Sequence, residues 1–122
     1  MADVTIKRMD EMEKYTGESH GGEFLYAGKS LGVAAWGMNV VRVPPGWDGY
    51  PEHDHSDDGQ EEVYVVLEGS AELYADDQRW TLEPGTIARV GPTQKRRLLP
   101  GDAGATVLVL GGTPGKPYPT SG

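Results

Sequence analysis

Glu61-Glu62-Val63-Tyr64-Val65-Val66-Leu67-Glu68-Gly69 reads as the strongest β-strand in this chain of 122 residues. Its centre is β-branched, aromatic and aliphatic, and the glycine ends the run. Side chains alternate sides along a strand, so Glu62, Tyr64 and Val66 share one face and Glu61, Val63 and Val65 share the other. A strand with one wet face alternates apolar and polar residues. Residues 63–67 are apolar on both sides, so both sides are expected to be covered. In so short a chain the simplest second cover is another copy of it, and a homodimer is expected.

Turn residues punctuate the chain on both sides of this strand. Downstream, residues 71–75 form a further strand, Asp76-Asp77 a hairpin tip, and residues 79–82 its return. Pro84-Gly85 makes the next turn. Strands follow at 86–90, 94–99 and 105–110, separated by turns at 91–93 and at Pro100-Gly101. Upstream, residues 31–43 are a longer β candidate closed by Pro44-Pro45-Gly46, with Met38, Val40 and Arg42 on one side and Asn39, Val41 and Val43 on the other. Residues 23–26 form a short strand broken by Gly28. Near the start, Asp10 followed by Glu13 allows one capped helical turn, the alternative being a solvated arm. Residues 19–22 read as a loop, in which His20 has no partner in the sequence. The division expected is an arm with the first strands at 1–30, one β-domain at 31–112, and an irregular tail at 113–122. Strands every 8–12 residues or so indicate an antiparallel sandwich or barrel.

Composition agrees and narrows the function. The 18 glycines and 9 prolines exceed a usual combined share of about 12%, which disfavours a helical bundle. With 11 basic and 19 acidic residues the net charge is −8, so nucleic acid and anionic membrane surfaces are unfavourable partners. There is no cysteine, which removes disulfides and thiolate chemistry and suits a cytoplasmic protein. No basic-then-apolar signal pattern opens the chain, and no apolar run approaches the ~18 residues of a membrane span. A Gly-x-Ser-x-Gly elbow, a phosphate-binding loop and a dinucleotide fingerprint are all missing, and Asp57-Asp58 lacks the alternating spacing of a calcium loop.

The chemistry concentrates at His53-Asp54-His55. In an extended segment residues i and i+2 face the same way, so both imidazoles can reach one metal ion. A turn at 56–60 can fold the following strand beside them and bring in Glu62, making a site of two histidines and one carboxylate with open positions. The plainer alternatives are two exposed loop histidines and a solvent-facing Glu62.

These residues resemble the cupin superfamily, whose first motif is Gly, five residues, His-x-His, a short spacer, Glu, six residues, Gly. His53-x-His55 matches, as does Glu62 followed by six residues and Gly69. Only three residues separate Gly49 from His53, and the spacer before Glu62 is six residues long rather than the usual three or four. The second motif is Gly, five residues, Pro-x-Gly, two residues, His, three residues, Asn. From Gly85 that count reaches Gly91-Pro92-Thr93, then Arg96 in place of histidine and Pro100 in place of asparagine. The resemblance spans roughly residues 33–110. It implies an all-β double-stranded β-helix, the small jelly-roll barrel, with the site inside. It also implies a divalent metal (Mn, Fe, Zn or Ni) on His53, His55 and Glu62, and a small organic ligand, with a metal-dependent dioxygenase or isomerase among the activities.

Arg96 is the departure that matters, because a guanidinium has no lone pair for a metal. Three arrangements are open. Metal binds through the two histidines and Glu62 alone; or Arg96 replaces the cation and pairs with Glu62 in a metal-free binding or sensor module; or Arg96 faces the mouth and grips an anionic ligand. A plain surface role within Lys95-Arg96-Arg97 is the alternative to all three. Gln94, two residues earlier, shares its face in an extended chain and offers an amide as a weak ligand. Tyr64 shares the face of Glu62 and can hydrogen-bond a ligand, although barrel packing also explains it. Met38 is expected in the core, as are the three tryptophans (Trp36, Trp47, Trp80), for which the alternative is a pocket mouth or the subunit interface.

Overall fold

The strand expected at 61–69 does not stop at its glycine. In the computed structural model, which describes residues 2–18 and 21–119, β3 runs unbroken over Glu61–Ala75. Its antiparallel partner is the equally long final strand, Arg97–Gly112. The register between the two shifts between Val66 and Glu68 and again between Gly69 and Ala71, and these irregularities bend the pair. Gly69 has φ 74°, and a Cβ there would collide with the Gly104 carbonyl oxygen, so the bend requires glycine.

The bend lets one ribbon serve two parts of a barrel. The first half of β3 lies between β6 (Arg97–Gly112) and β5 (Ile87–Val90), while its second half pairs with β4 (Gln78–Leu82) across the hairpin at Asp76-Asp77. Beyond β6 come β2 (Gly37–Val43) and β1 (Glu23–Leu25), all antiparallel, in the order β1-β2-β6-β3-β4. The result is an all-β jelly-roll barrel. Tyr64, Leu98, Val43 and Val107 are essentially solvent-free inside it, each contributing about 1.5–3 kcal/mol by burial. A smaller cluster of Leu25, Ala27 and Val40 packs with Met9, Met12, Met38 and Leu108. No helix among the described residues is long and apolar enough to cross a membrane.

Several local expectations are corrected. Residues 94–99 and 105–110 are not separate strands with Gln94 in the first: β6 starts at Arg97 and passes straight through Pro100-Gly101. At Pro100 its only strand partner is β3, so a missing N–H is tolerated. The candidate at 31–43 begins only at Gly37. A helix, α1 (Ala27–Leu31), occupies the preceding segment and ends on Gly32 at φ 82°. Gly28 permits α1 to lie against Met38, a tertiary contact that overrides weak local propensity. The turn near the start forms at Met9–Glu11, with Arg8 rather than Asp10 at the cap position and Glu11 closing it, while Glu13 pairs with Lys29. Trp47 is buried, but Trp36 and Trp80 are exposed, against the core role expected of all three. His20 lies outside the described residues.

Candidate metal centre

His53 and His55 do not pair with the Glu62 strand as the sequence suggested. The His53 amide donates to the Arg96 carbonyl and the Arg96 amide to that of His53, both at 3.0 Å, while the His55 amide donates to Pro92. Glu62 reaches the same space from β3, between Gly111 of β6 and Val90 of β5. The loop carrying the histidines thus closes against Arg96, and the barrel brings the three groups together.

Both imidazoles are held from behind. His53 Nδ1 lies 3.1 Å from the Pro51 carbonyl, and His55 Nδ1 lies 3.1 Å from an Asp58 carboxylate oxygen. A neutral ring donating from Nδ1 keeps its Nε2 lone pair free, and both Nε2 atoms point to Glu62. His53 Nε2 is 3.5 Å from Glu62 Oε1, and His55 Nε2 is 3.4 Å from Oε2. The rings themselves stand edge to face, 5.2 Å apart. Asp58 is fixed by the turn, accepting from the Gln60 amide and side chain.

Arg96 is wholly buried inside the barrel, not on the surface. Its Nη2 donates to Glu62 Oε1 at 2.6 Å, its Nε to the Tyr64 hydroxyl at 3.2 Å, and its Nη1 to the Gln94 backbone carbonyl at 2.8 Å. Tyr64 donates in turn to Glu62 Oε1 at 2.9 Å. Burial alone would raise the Glu62 carboxyl, but His53, Arg96 and Tyr64 gathered around it outweigh that and hold it at about 2. Burial, then the Glu62 charge, pushes the Tyr64 hydroxyl up to about 12. The neighbouring Glu62 carboxylate is the chief cause that raises His53.

The donor set fits a divalent ion. Ligand atoms about 2.0–2.1 Å from a tetrahedral metal stand roughly 3.3 Å from one another, near the two separations seen here, one to each oxygen of Glu62. The same separations are long for direct hydrogen bonds, which cluster near 2.9 Å. All three donor atoms lie within 4.8 Å of one another. Of the other residues singled out from sequence, Tyr64 joins the cluster. The side-chain amide of Gln94 does not, since it bonds Asp76 and the Lys95 carbonyl.

Sequence reading missed Asp58, Pro51 and Tyr50. An aspartate three residues after a histidine, within a turn, was the available signal for the first. Tyr50, buried, packs its ring 5.7 Å from His53, a contact that no spacing discloses.

The family model of the cupin domain matches residues 39–111, well over half of the chain. This chain belongs to the cupin family. Solved cupins share the barrel. A sugar phosphate isomerase of the cupin superfamily from Silicibacter pomeroyi superposes with TM-score 0.70 at 27% identity, over 85% of this chain and 73% of its own. A cupin protein from Bacteroides fragilis gives 0.70 at 21% identity, covering 100% of this chain and 97% of its own. KdgF from a Halomonas species gives 0.70 at 16%, over 89% and 93%. The latter two establish the fold alone. No protein of curated function matches this cupin.

Proposed function

We propose that this cupin holds one divalent metal ion through His53 Nε2, His55 Nε2 and the Glu62 carboxylate, and acts on a small organic molecule beside it. The observation carrying this reading is the pair of back-anchored imidazoles whose free nitrogens converge on Glu62. A bound metal with open positions supplies Lewis acidity, polarising a carbonyl or activating water or dioxygen. Pro51 and Asp58 keep the rings in the ligating tautomer. Tyr64 and Arg96 keep Glu62 ionised, and the guanidinium favours an anionic group on the substrate. The likeness to a sugar phosphate isomerase supports an isomerase over a dioxygenase. The cysteine-free composition supports a cytoplasmic setting.

Elemental analysis of tag-free protein, with calorimetric titration of Mn, Fe, Zn and Ni, tests the proposal. About one ion per chain is expected, lost in the His53→Ala/His55→Ala double variant. No uptake after supplementation, with thermal stability unchanged by a chelator, overturns it.

A second reading has its own support: Arg96 already places a buried cation on Glu62, as a metal-free binding or sensor module would require. Arg96→His separates the two. Under the second reading metal affinity arises only in the variant; under the first it exists beforehand.

A further inference from the structure

We propose that a second subsite, a cleft of about 400 Å³ beside the candidate centre, takes a planar aromatic ring against its aromatic walls and binds that ring's polar substituent through Asn39. The cleft is built by the N-terminal arm. Tyr15 donates its amide to the Phe24 carbonyl, and Tyr26 donates to Glu13, both at 2.8 Å, so the arm adds a rung to the edge of β1. Lys14 pairs opposite Leu25, and the two-residue period turns Tyr15 to the side of Phe24. Their rings meet edge to face at 6.0 Å and 81°. From beneath, buried Trp47 meets Phe24 edge-on at 6.2 Å and holds it. Tyr26 completes the walls, and Gly49 and Pro51 line the side nearest the histidines.

Asn39 lies in register with Val109, which lies in register with Tyr64, so all three share the barrel's inner face. Two strand spacings separate Asn39 from Tyr64, roughly 10 Å. The Asn39 side chain is exposed and makes no hydrogen bond among the described residues. A 400 Å³ cleft is of the size that small ligands fill. Its lining is three aromatic rings, the edge formed by Gly49 and Pro51, and two polar side chains, Glu18 and the uncommitted Asn39 amide. Three aromatic rings suit the face of a planar ring, and the Asn39 amide can pair one polar substituent on it. The inference rests on the proposed function only in placing the ligand's reacting end toward His53, whose ring packs on Tyr50 between Gly49 and Pro51.

Fluorine NMR with 4-fluorophenol and fluorobenzene, alongside amide shift mapping, tests it on the full chain with and without added zinc. Saturable binding is expected, with shifts at Tyr15, Phe24, Tyr26 and Asn39. Tyr15→Ala should weaken it at least tenfold, while Tyr15→Phe retains it and controls for folding of the arm. Asn39→Leu should remove the preference for 4-fluorophenol over fluorobenzene. Binding that persists in His53→Ala/His55→Ala upholds the cleft even if no metal is taken up. Zinc uptake without ring binding, shifts that map elsewhere, or indifference to Tyr15→Ala overturns it.

Discussion

Arg96 keeps its charge inside the barrel because three acceptors meet its guanidinium: Glu62, the Tyr64 hydroxyl and the Gln94 carbonyl. Removing one member of a buried ion pair strands the other, at a cost of about 3–5 kcal/mol. Arg96→Met should therefore lower unfolding free energy by about that amount in urea titration, and an unchanged midpoint would contradict the pairing. Arg96→His should act differently. Two unit charges 4 Å apart interact by about 4 kcal/mol at an effective dielectric of 20, so a fixed cation beside Glu62 opposes a second one. Replacing it with a third imidazole should tighten zinc binding at least tenfold in chelator competition. The sequence marked Arg96 as the departure from the cupin pattern but not its direction. Lys95-Arg96-Arg97 presents three cations in a row, and a register slip of one residue would send a different one inward.

The arm and the β3 bend are where single elements carry the architecture. Lys14 and Arg42 both pair with Glu23, at 2.9 and 3.0 Å, fastening the arm to β1 and β1 to β2. The Lys14 hydrogen bond, then that of Arg42, lowers the Glu23 carboxyl below its usual 4.5. A carboxyl depressed in the folded state stabilises fully above its unfolded value and loses that contribution as pH falls through the folded one. Amide protection of Tyr15 and Tyr26, corrected for intrinsic exchange, should therefore fall as pH drops below about 4.5, and Glu23→Gln should flatten the dependence. The pairs are partly exposed, so the effect is small. At Gly69, alanine meets both a positive φ and the Gly104 carbonyl. Gly69→Ala should destabilise by at least ~2 kcal/mol in denaturant titration, since the bend joining the two halves of β3 has no room to relax.

At the scale of the molecule, the outer face of β3 is left half-covered. Val63 and Val65 are partly buried, Leu67 is 42% exposed, and Ile87, paired with Val65, is 68% exposed. α1 packs chiefly on β2. This apolar strip supports the homodimer inferred from residues 63–67. Sedimentation should report twice the chain mass, reduced to one chain by Ile87→Lys; a monomeric parent protein would refute the interface.

The local pattern of this chain determined its strands, its turns and the pair of histidines with Glu62, because alternation and Gly/Pro punctuation act within a few residues. It also carried the cupin resemblance, since a motif is spacing along one strand and its neighbour. What only the tertiary structure decided was everything set by contacts distant in sequence. Examples are Arg96 turned inward against Glu62, the histidine loop paired with Arg96 rather than with β3, and the five-residue α1 held in place by Met38. The joining of four expected strands into β3 and β6 belongs there too, for each half is stabilised by pairing with the other strand rather than by its own residues. Local propensity is worth tenths of a kcal/mol per residue, and burial of a single side chain outweighs it.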